Sequence, residues 1–316
     1  MKLVVQCACY NEEKTIGDVL KEIPKKIPGI DEIEVVIVDD GCTDKTVEIA
    51  KQHGVKHIVR HAKAQGLAYG FRDAIAKGLA LGADIIVHTD GDNQYPGNRI
   101  PDLVAPILAG KADMVIADRQ TAKIEHFSPL KKLLQRFGTW TLNKAASTNV
   151  PDAPSGFRAY SREAAMKLNV VTTFSYAMET LIQAGNKRFA IATIQIDTNP
   201  KTRESRLFKS QWEHIAKSGA AIFRAFLMYR PYVFFGTLGG VLFVIGLVPF
   251  ARFLYFLAQG QGDGHLQSLI AGSVLLVASF IALTLGVVAD LIRINRILLE
   301  QSLEHQKHIR FDKKRG

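Results

Sequence analysis

The chain has 316 residues, of which 47% are apolar and 22% are charged, and its formal net charge is +10. This apolar content is too high for a disordered chain and is sufficient for the core of one large domain or two smaller ones. The three cysteines (Cys7, Cys9 and Cys42) fit neither a disulfide framework nor a zinc quartet, so we expect buried, reduced thiols. The positive charge is compatible with nucleic acid, an anionic membrane surface or phosphorylated substrates.

The first 120 residues alternate between strand and helix patterns. Strands are predicted from Leu3 onward and at 33–38, 55–59, 83–90 and 113–117, and helices at 12–26, 44–53, 66–81 and 99–108. Such alternation predicts an α/β fold, in which a mostly parallel sheet carries helices on both faces.

The fourth strand pattern ends in two carboxylates, Asp90 and Asp92, separated by Gly91. Open α/β sheets bind ligands at the carboxyl ends of their strands. Two hard oxygen ligands at such an end suit Mg²⁺ or Mn²⁺ bridging a diphosphate. Because such triplets are common, a solvated turn explains this motif equally well when it is taken alone.

Polar residues also follow the first two strands, so three acid-bearing loops are expected at one edge of the sheet. This arrangement predicts a nucleotide pocket, in which Asp39 or Asp40 accepts hydrogen bonds from a base or ribose. The chain has neither GxGxxG after the first strand nor GxxxxGK[ST], so neither a dinucleotide-binding fold nor a P-loop ATPase is supported. For each acid singly, helix capping is the alternative, and it is the one we prefer for Asp44.

Two apolar segments, 232–258 and 266–289, reach the roughly 20 residues needed to cross a bilayer. The connection between them lacks Lys and Arg, whereas basic residues such as Arg230 and Arg293 flank the pair. The positive-inside rule therefore predicts an integral membrane protein with its N-terminal region and C-terminal tail in the cytoplasm. Two buried core helices are the alternative. Met1 leads directly into a strand, so no signal peptide is expected.

Four motifs occur in an order that resembles the GT-A glycosyltransferases of family 2. They are CYNEEKTI at 9–16, VDDGCTDKT at 38–46, Gly66 with Ala68, and DGDNQYP at 90–96. The stretches 152–162 and 199–207 resemble the polyprenyl-phosphate branch, which is dolichol-phosphate mannosyltransferase-like. Two residues depart from the family pattern. Cys9 stands where a small residue or a proline region is common, and Gly91 replaces the alanine of a frequent Asp-Ala-Asp.

The resemblance implies a membrane-anchored, inverting enzyme that moves a hexose from a UDP- or GDP-linked donor to a polyprenyl phosphate, such as undecaprenyl or dolichyl phosphate. It implies a GT-A domain at 1–205, an interfacial juxtamembrane helix at 206–231, a transmembrane hairpin at 232–289 and a basic cytoplasmic tail at 290–316. The lipid phosphate is already ionised near neutral pH, so it needs no strong general base.

The resemblance also implies site residues. The expected metal ligands, for Mg²⁺ or Mn²⁺, are Asp90 and Asp92. The expected catalytic residues are Asp92, Asp152 and Arg203, where Asp152 is an orienting or assisting carboxylate or a ligand of a sugar hydroxyl. The expected donor-binding residues are Tyr10, Asn11, Glu12, Asp39, Asp40, Lys63, Asp90, Gln94 and Arg119. The expected acceptor-phosphate ligands are Arg119, Arg158, Arg203, Ser205 and Arg206, since guanidinium groups match phosphate oxygens.

Amphipathic helices are predicted at 128–146 and 209–229, with Trp140 and Trp212 as anchors at the membrane interface. Core packing is the alternative for either helix alone. Gly236, Gly239 and Gly240 form a small-residue face that is compatible with a homo-oligomer.

Two other functions remain as alternatives. A processive polysaccharide synthase usually carries Gln-x-x-Arg-Trp and more membrane helices, and residues 135–140 do not match that motif. A non-catalytic membrane scaffold would keep a degenerate nucleotide pocket, against which the intact Asp90 and Asp92 argue. Nucleic-acid binding explains the charge but not the apolar segments. The lipid-phosphate glycosyltransferase is favoured.

Overall fold

The computed structural model describes residues 1–120, 129–171, 176–200, 219–220, 223–224 and 226–312, except the side chains of 129–135. It divides into two compact units, each described here by itself. The head comprises Met1–Ile222 and Glu300–Gly316, and the hairpin unit comprises Phe223–Leu299. Arg203, Ser205, Arg206, Trp212 and most of 206–231 lie outside the described residues.

A seven-stranded sheet forms the centre of the head, with the strand order β3-β2-β1-β4-β6-β5-β7. β6 is antiparallel to both of its neighbours, and the other pairs are parallel. The strands are β1 (Lys2–Cys9), β2 (Glu32–Asp39), β3 (His57–Arg60), β4 (Ile85–Asp90), β5 (Met114–Asp118), β6 (Arg158–Ser161) and β7 (Ile191–Gln195).

Helices cover both faces of this sheet. In the described head they are α1 (Ile16–Glu22), α2 (Thr46–Gln52), α3 (Leu67–Ala80), α4 (Ile100–Leu108), α5 (Pro129–Ala146), α6 (Arg162–Lys167) and α7 (Tyr176–Asn186). On one face Leu103 of α4 packs in a buried cluster with Leu3 and Val5. On the other face α3 approaches so closely that a Cβ at Gly78 would lie 3.0 Å from Ile86 Cδ1. Strands buried on both faces are typical of parallel sheets.

The predicted α/β class is confirmed, and each predicted strand and helix of the first 120 residues has an observed counterpart. The sequence patterns did not predict β6 or β7. β6 has only four residues, and its Tyr160 pairs with Ile86 on one side and Met114 on the other. A strand this short is formed by its two neighbours and not by its own hydrophobic pattern.

The hairpin unit contains α8 (Pro231–Ala258) and the larger part of α9 (Leu266–Asp312). Both helices are long and apolar enough to cross a membrane. They pack against each other through small residues, because Ser279 Oγ donates to the Gly239 carbonyl at 2.8 Å. Their outer surfaces are apolar, with Val248 68% and Phe280 72% exposed. An apolar surface of this kind is compatible with contact with lipid.

The end of α9 belongs to the head, where Lys307 binds the end of α6 and the segment that follows it. Lys307 Nζ donates to the carbonyls of Met166 and Leu168 at 3.1 and 2.7 Å and to Asn169 Oδ1 at 2.8 Å. Burial, aided by the Lys187 ammonium, lowers the pKa of Lys307 to about 8. The predicted basic tail is helical as far as Asp312. At this end of the helix, Arg162 pairs with Asp312 at 2.8 Å.

Two adjacent glycines of α8 provide a test of the hairpin packing. A Cβ at Gly239 would lie 2.8 Å from Leu283 Cδ2, whereas one at Gly240 would meet nothing within 4 Å among the described residues. We expect Gly239→Ala to destabilise the hairpin by about 1–3 kcal/mol through overpacking, and Gly240→Ala to be nearly neutral. Thermal unfolding of both variants in the same detergent checks this. Equal effects of the two substitutions would refute the observed helix pairing.

Candidate active site

The carboxyl ends of β1, β2 and β4 meet at one edge of the sheet because these strands are parallel neighbours. Cys9 pairs with Asp39 of β2, and Ala8 pairs with Asp90 of β4. The structure therefore brings the three predicted acid-bearing loops together, with the end of β1 between the other two.

The loop after β4 holds the predicted metal ligands. Asp90 is partly exposed, and Asp92 Oδ1 accepts a hydrogen bond from the Gln94 amide at 3.1 Å. Thr15 Oγ1 donates to the Gly91 carbonyl at 2.7 Å, which ties this loop to the segment after β1. Two partly exposed carboxylates on a loop held by its neighbours fit a divalent cation that prefers oxygen ligands.

Gly91 is required by a close approach of this loop to β1. A Cβ at Gly91 would lie 2.8 Å from Cys9 Sγ and 3.1 Å from the Ala8 carbonyl oxygen. The two departures from the family pattern, Cys9 and Gly91, are therefore in contact. The cysteine sulfur occupies part of the space that an alanine side chain at position 91 would need.

This contact predicts a coupled pair of substitutions. Gly91→Ala alone should cost about 1–3 kcal/mol of stability through the clash with the sulfur. Cys9→Ala in the same chain should recover part of that loss, with a coupling energy of about 1 kcal/mol. Unfolding measurements on the two single variants and the double variant give this energy. Strictly additive effects would show that the sulfur does not limit position 91.

The loops after β1 and β2 are joined by hydrogen bonds, some of which involve residues predicted to bind the donor. Asn11 Oδ1 accepts the Thr43 amide at 2.8 Å, and the Glu12 amide donates to Thr46 Oγ1 at 2.7 Å. Asp44 accepts from Thr46 and from the Glu13 amide, in agreement with a capping role. Asn11 has a positive φ of 57°, which asparagine tolerates better than most residues. Tyr10 at the start of this loop is 44% exposed.

The two acids at the end of β2 have different surroundings. Asp39 is fully buried, and its Oδ1 accepts the Cys42 amide at 2.6 Å while its Oδ2 lies 3.1 Å from Arg60 Nε. Asp40 accepts the amides of Gln65 and Gly66 at 2.8 and 2.9 Å. Asp40 thus holds the loop that leads into α3, and the exposed side chain of Lys63 lies on that loop.

His61 completes this arrangement and was missed by the sequence analysis. Its Nδ1 lies 2.7 Å from Asp40 Oδ1 and its Nε2 lies 3.1 Å from Asp73 Oδ2. Burial of the ring opposes a charge, but the hydrogen bonds and charges of Asp40 and Asp73 outweigh it and raise the pKa of His61. The sequence contains His61 and the two acids Asp40 and Asp73, but their spacing along the chain does not show that the three side chains meet.

The raised pKa of His61 predicts a pH dependence of stability. Its contribution should be fully present below the unfolded value of about 6.5 and should be lost as the pH rises through the higher folded value. At pH 6, His61→Gln should cost about 2 kcal/mol, because it removes charged hydrogen bonds to two carboxylates. Thermal unfolding from pH 5 to 9 should show the two proteins converging at high pH. A difference in unfolding temperature that stays constant from pH 5 to 9 would contradict a raised pKa of His61.

Arg119 and Asp152 form a bidentate ion pair beyond the end of β5. Arg119 Nε lies 2.7 Å from Asp152 Oδ2, and Nη2 lies 2.9 Å from Oδ1. Burial disfavours the charge, but Tyr95 and Asp152 outweigh it and raise the pKa of Arg119. A carboxylate held in this way orients the guanidinium, and one terminal nitrogen remains directed away from Asp152.

Arg158 was predicted to bind the acceptor phosphate, but the structure places its side chain in the core. The side chain is fully buried, and its guanidinium donates to the carbonyls of Ala153, Ser155 and Ala177 and to Thr180 Oγ1. The side chain therefore organises the turn before β6 and does not face an acceptor phosphate. Its four bonds fulfil most of the hydrogen-bonding capacity of a guanidinium.

The segment that leads toward Arg203 is hydrogen-bonded to the loop after β4. The Asn199 amide donates to the Gln94 carbonyl at 3.0 Å, and Asn199 Nδ2 lies 3.5 Å from Asn93 Oδ1. Gln94 thus contributes its backbone to this junction. Arg203, Ser205 and Arg206 follow within a few residues and lie outside the described part of the chain.

A mostly parallel sheet with one antiparallel strand, carrying an Asp-x-Asp loop at the end of β4, matches the glycosyltransferase GT-A fold that the sequence motifs resemble. In agreement, the family model for glycosyl transferase family 2 matches residues 5–168, about half of the chain. The chain belongs to glycosyl transferase family 2.

Individual proteins show the same likeness. A dolichyl-phosphate hexose transferase of Haloferax volcanii is 32% identical over 65% of this chain and 86% of its own length. A low-salt glycan biosynthesis hexosyltransferase from that organism is 28% identical over 90% of this chain and 67% of its own length. Glucosyl-3-phosphoglycerate synthase from Mycobacterium tuberculosis, crystallised with Mn²⁺, UDP and phosphoglyceric acid, has a TM-score of 0.53 and 21% identity. That match covers 72% of this chain and 77% of the synthase, and it shows a shared fold.

Proposed function

We propose that this glycosyltransferase transfers a hexose, with inversion, from a UDP- or GDP-linked donor to a polyprenyl phosphate. One observation carries the proposal. The Asp90 loop adjoins the loops after β1 and β2 at one sheet edge, in a chain that also has two helices long enough to cross a membrane. The names of the related dolichyl-phosphate enzyme and hexosyltransferase support a lipid acceptor and a hexose.

The donor nucleotide is assigned to the edge formed by β1 and β2. Tyr10 and Lys63 are exposed; the ring of Tyr10 is proposed to contact the base, and the side chain of Lys63 a phosphate. Asp39 is proposed to read the base or ribose from its buried position. Asn11, Glu12 and Asp40 act indirectly, because their contacts hold the two loops and the start of α3 in place.

Asp90 and Asp92 are the residues proposed to hold Mg²⁺ or Mn²⁺. When bound, such an ion neutralises charge on the departing nucleoside diphosphate. Asp92 is already oriented by the Gln94 amide, and the carbonyl of Gly91 is fixed by Thr15. Hydrogen bonds within the protein therefore fix the backbone between the two carboxylates.

The acceptor phosphate is assigned to Arg119 and to the 203–206 cluster. Asp152 engages Nε and Nη2 of Arg119, which leaves Nη1 as the donor proposed for a phosphate oxygen. Since a lipid phosphate is already ionised near neutral pH, Asp152 has no need to act as a base and serves to orient Arg119. Arg203, Ser205 and Arg206 are retained as phosphate ligands from their spacing.

A position at the membrane surface is proposed for α5. Phe137 and Trp140 are 61% and 56% exposed, and their rings stack at a centroid distance of 5.9 Å. Aromatic rings flanked by Arg136 and Lys144 are typical of helices at head-group depth. The distribution of basic residues favours a cytoplasmic head.

The decisive experiment is transfer of label from a panel of UDP- and GDP-hexoses into organic-extractable lipid. It uses purified full-length protein, polyprenyl phosphate and Mn²⁺ or Mg²⁺. Label from one donor, abolished by EDTA, is the expected result. Absence of label from every donor, while nucleotide still binds, would favour a scaffold.

Asp92→Asn should lower this transfer about a hundredfold or more, because it removes a proposed ligand of the ion that neutralises charge on the departing nucleoside diphosphate. Asp18→Asn is the matched control, since Asp18 lies on α1 and pairs with Lys21 at 2.9 Å. The initial rate of lipid labelling measures both variants after their unfolding temperatures have been compared. Retained turnover in Asp92→Asn would remove this carboxylate from the mechanism.

A further inference from the structure

A histidine lies inside the sheet directly before the metal loop. His88 belongs to β4 two residues before Asp90, so both side chains are on the same side of the strand. The ring is 1% exposed. It packs edge-on against Phe71 and Tyr176, at centroid distances of 5.4 and 4.7 Å. Neither the nucleotide pocket nor the acceptor site described above uses this residue.

One ring nitrogen of His88 is paired and the other is not. Nδ1 lies 3.1 Å from the side-chain amide nitrogen of Gln6, at the middle of β1. Nε2 is buried and has no hydrogen-bond partner among the residues that the structure describes. A carboxylate oxygen, Asp90 Oδ1, lies 3.6 Å from this nitrogen. A buried donor left without a partner costs about 1–3 kcal/mol, so such a group calls for an explanation.

The partner of Nδ1 determines where the proton lies. The amide nitrogen of Gln6 is a donor, so Nδ1 accepts and the ring carries a hydrogen on Nε2. That N–H faces a carboxylate, which is an acceptor. A movement of Asp90 by a few tenths of an ångström would bring the pair within ordinary hydrogen-bond distance.

We infer that His88 is a positioning residue, which donates from Nε2 to Asp90 and orients this carboxylate when a divalent cation binds. The inference rests on the proposed function, since it takes Asp90 as a metal ligand. Carboxylates that bind metals are commonly held by hydrogen bonds from outside the coordination shell. Gln6 sets the ring's tautomer, and the rings of Phe71 and Tyr176 hold its orientation.

Metal binding itself tests this role. Mn²⁺ is titrated into full-length protein in detergent with UDP and, in parallel, with GDP, and free Mn²⁺ is read from its electron paramagnetic resonance signal. His88→Phe keeps a ring but removes the donor, and it should weaken Mn²⁺ binding about tenfold or more. His88→Gln restores an N–H near the position of Nε2 and should stay within about threefold of the unmodified protein.

Leu103→Val is the control for packing, because Leu103 lies in the buried cluster on the opposite face of the sheet, with Val5, Ile85 and Val87, and its truncation leaves the surroundings of His88 intact. It should lower the unfolding temperature and leave Mn²⁺ affinity unchanged. Unaltered Mn²⁺ affinity in His88→Phe would overturn the inference, as would equal weakening in all three variants. If the unmodified protein binds no Mn²⁺ with either nucleotide, the metal site proposed for the enzyme fails first, and the role of His88 fails with it.

Discussion

The parallel pairing of β1 with β2 and β4 is the constraint on which the site depends. Ala8 lies opposite Asp90 and Cys9 opposite Asp39, so a single register sets the position of both acidic loops. A slip by one residue would turn every side chain of β1 to the other face of the sheet. The register is secured by burial on both faces, because apolar residues of β1 pack under α4 on one side and α3 on the other. The chemistry at the sheet edge therefore depends on the core beneath it.

Several polar groups at this edge hold the protein's own loops in place. Asp40 binds backbone amides and His61, Asn11 binds the next loop, and Arg158 is enclosed by carbonyl oxygens. Buried polar groups need partners, and loops without regular structure must obtain them from side chains. The residues that remain for substrates are fewer than the motifs imply. Because some of the acids have a structural role, a family motif can be rich in acids although only two of them are proposed as metal ligands.

Steric fit links residues that are far apart in the chain. Cys9 and Gly91 are in contact across the end of β1, and Gly239 lies against Leu283 in the hairpin unit. In both cases the absence of a side chain on glycine permits the approach. Lys307 provides a third long-range link within the head, where its ammonium group binds two carbonyls and an asparagine. Each contact depends on the shape or charge of both residues, so the role of either residue could not be predicted from that residue alone.

The sequence by itself determined the α/β class, the helix and strand succession of the first 120 residues, the two apolar helices and the family motifs. These features are local, because the hydrophobic period, the charges and the turn residues that predict them lie close together in the sequence. Only the tertiary structure decided that Asp152 binds Arg119, that Arg158 is buried, that β6 runs antiparallel, and that His61 and His88 each face a carboxylate. These contacts join residues separated by other strands and loops, or depend on how the strands pack. Their physical basis, which is pairing of buried charges and donors, exists only once the sheet has brought the partners together.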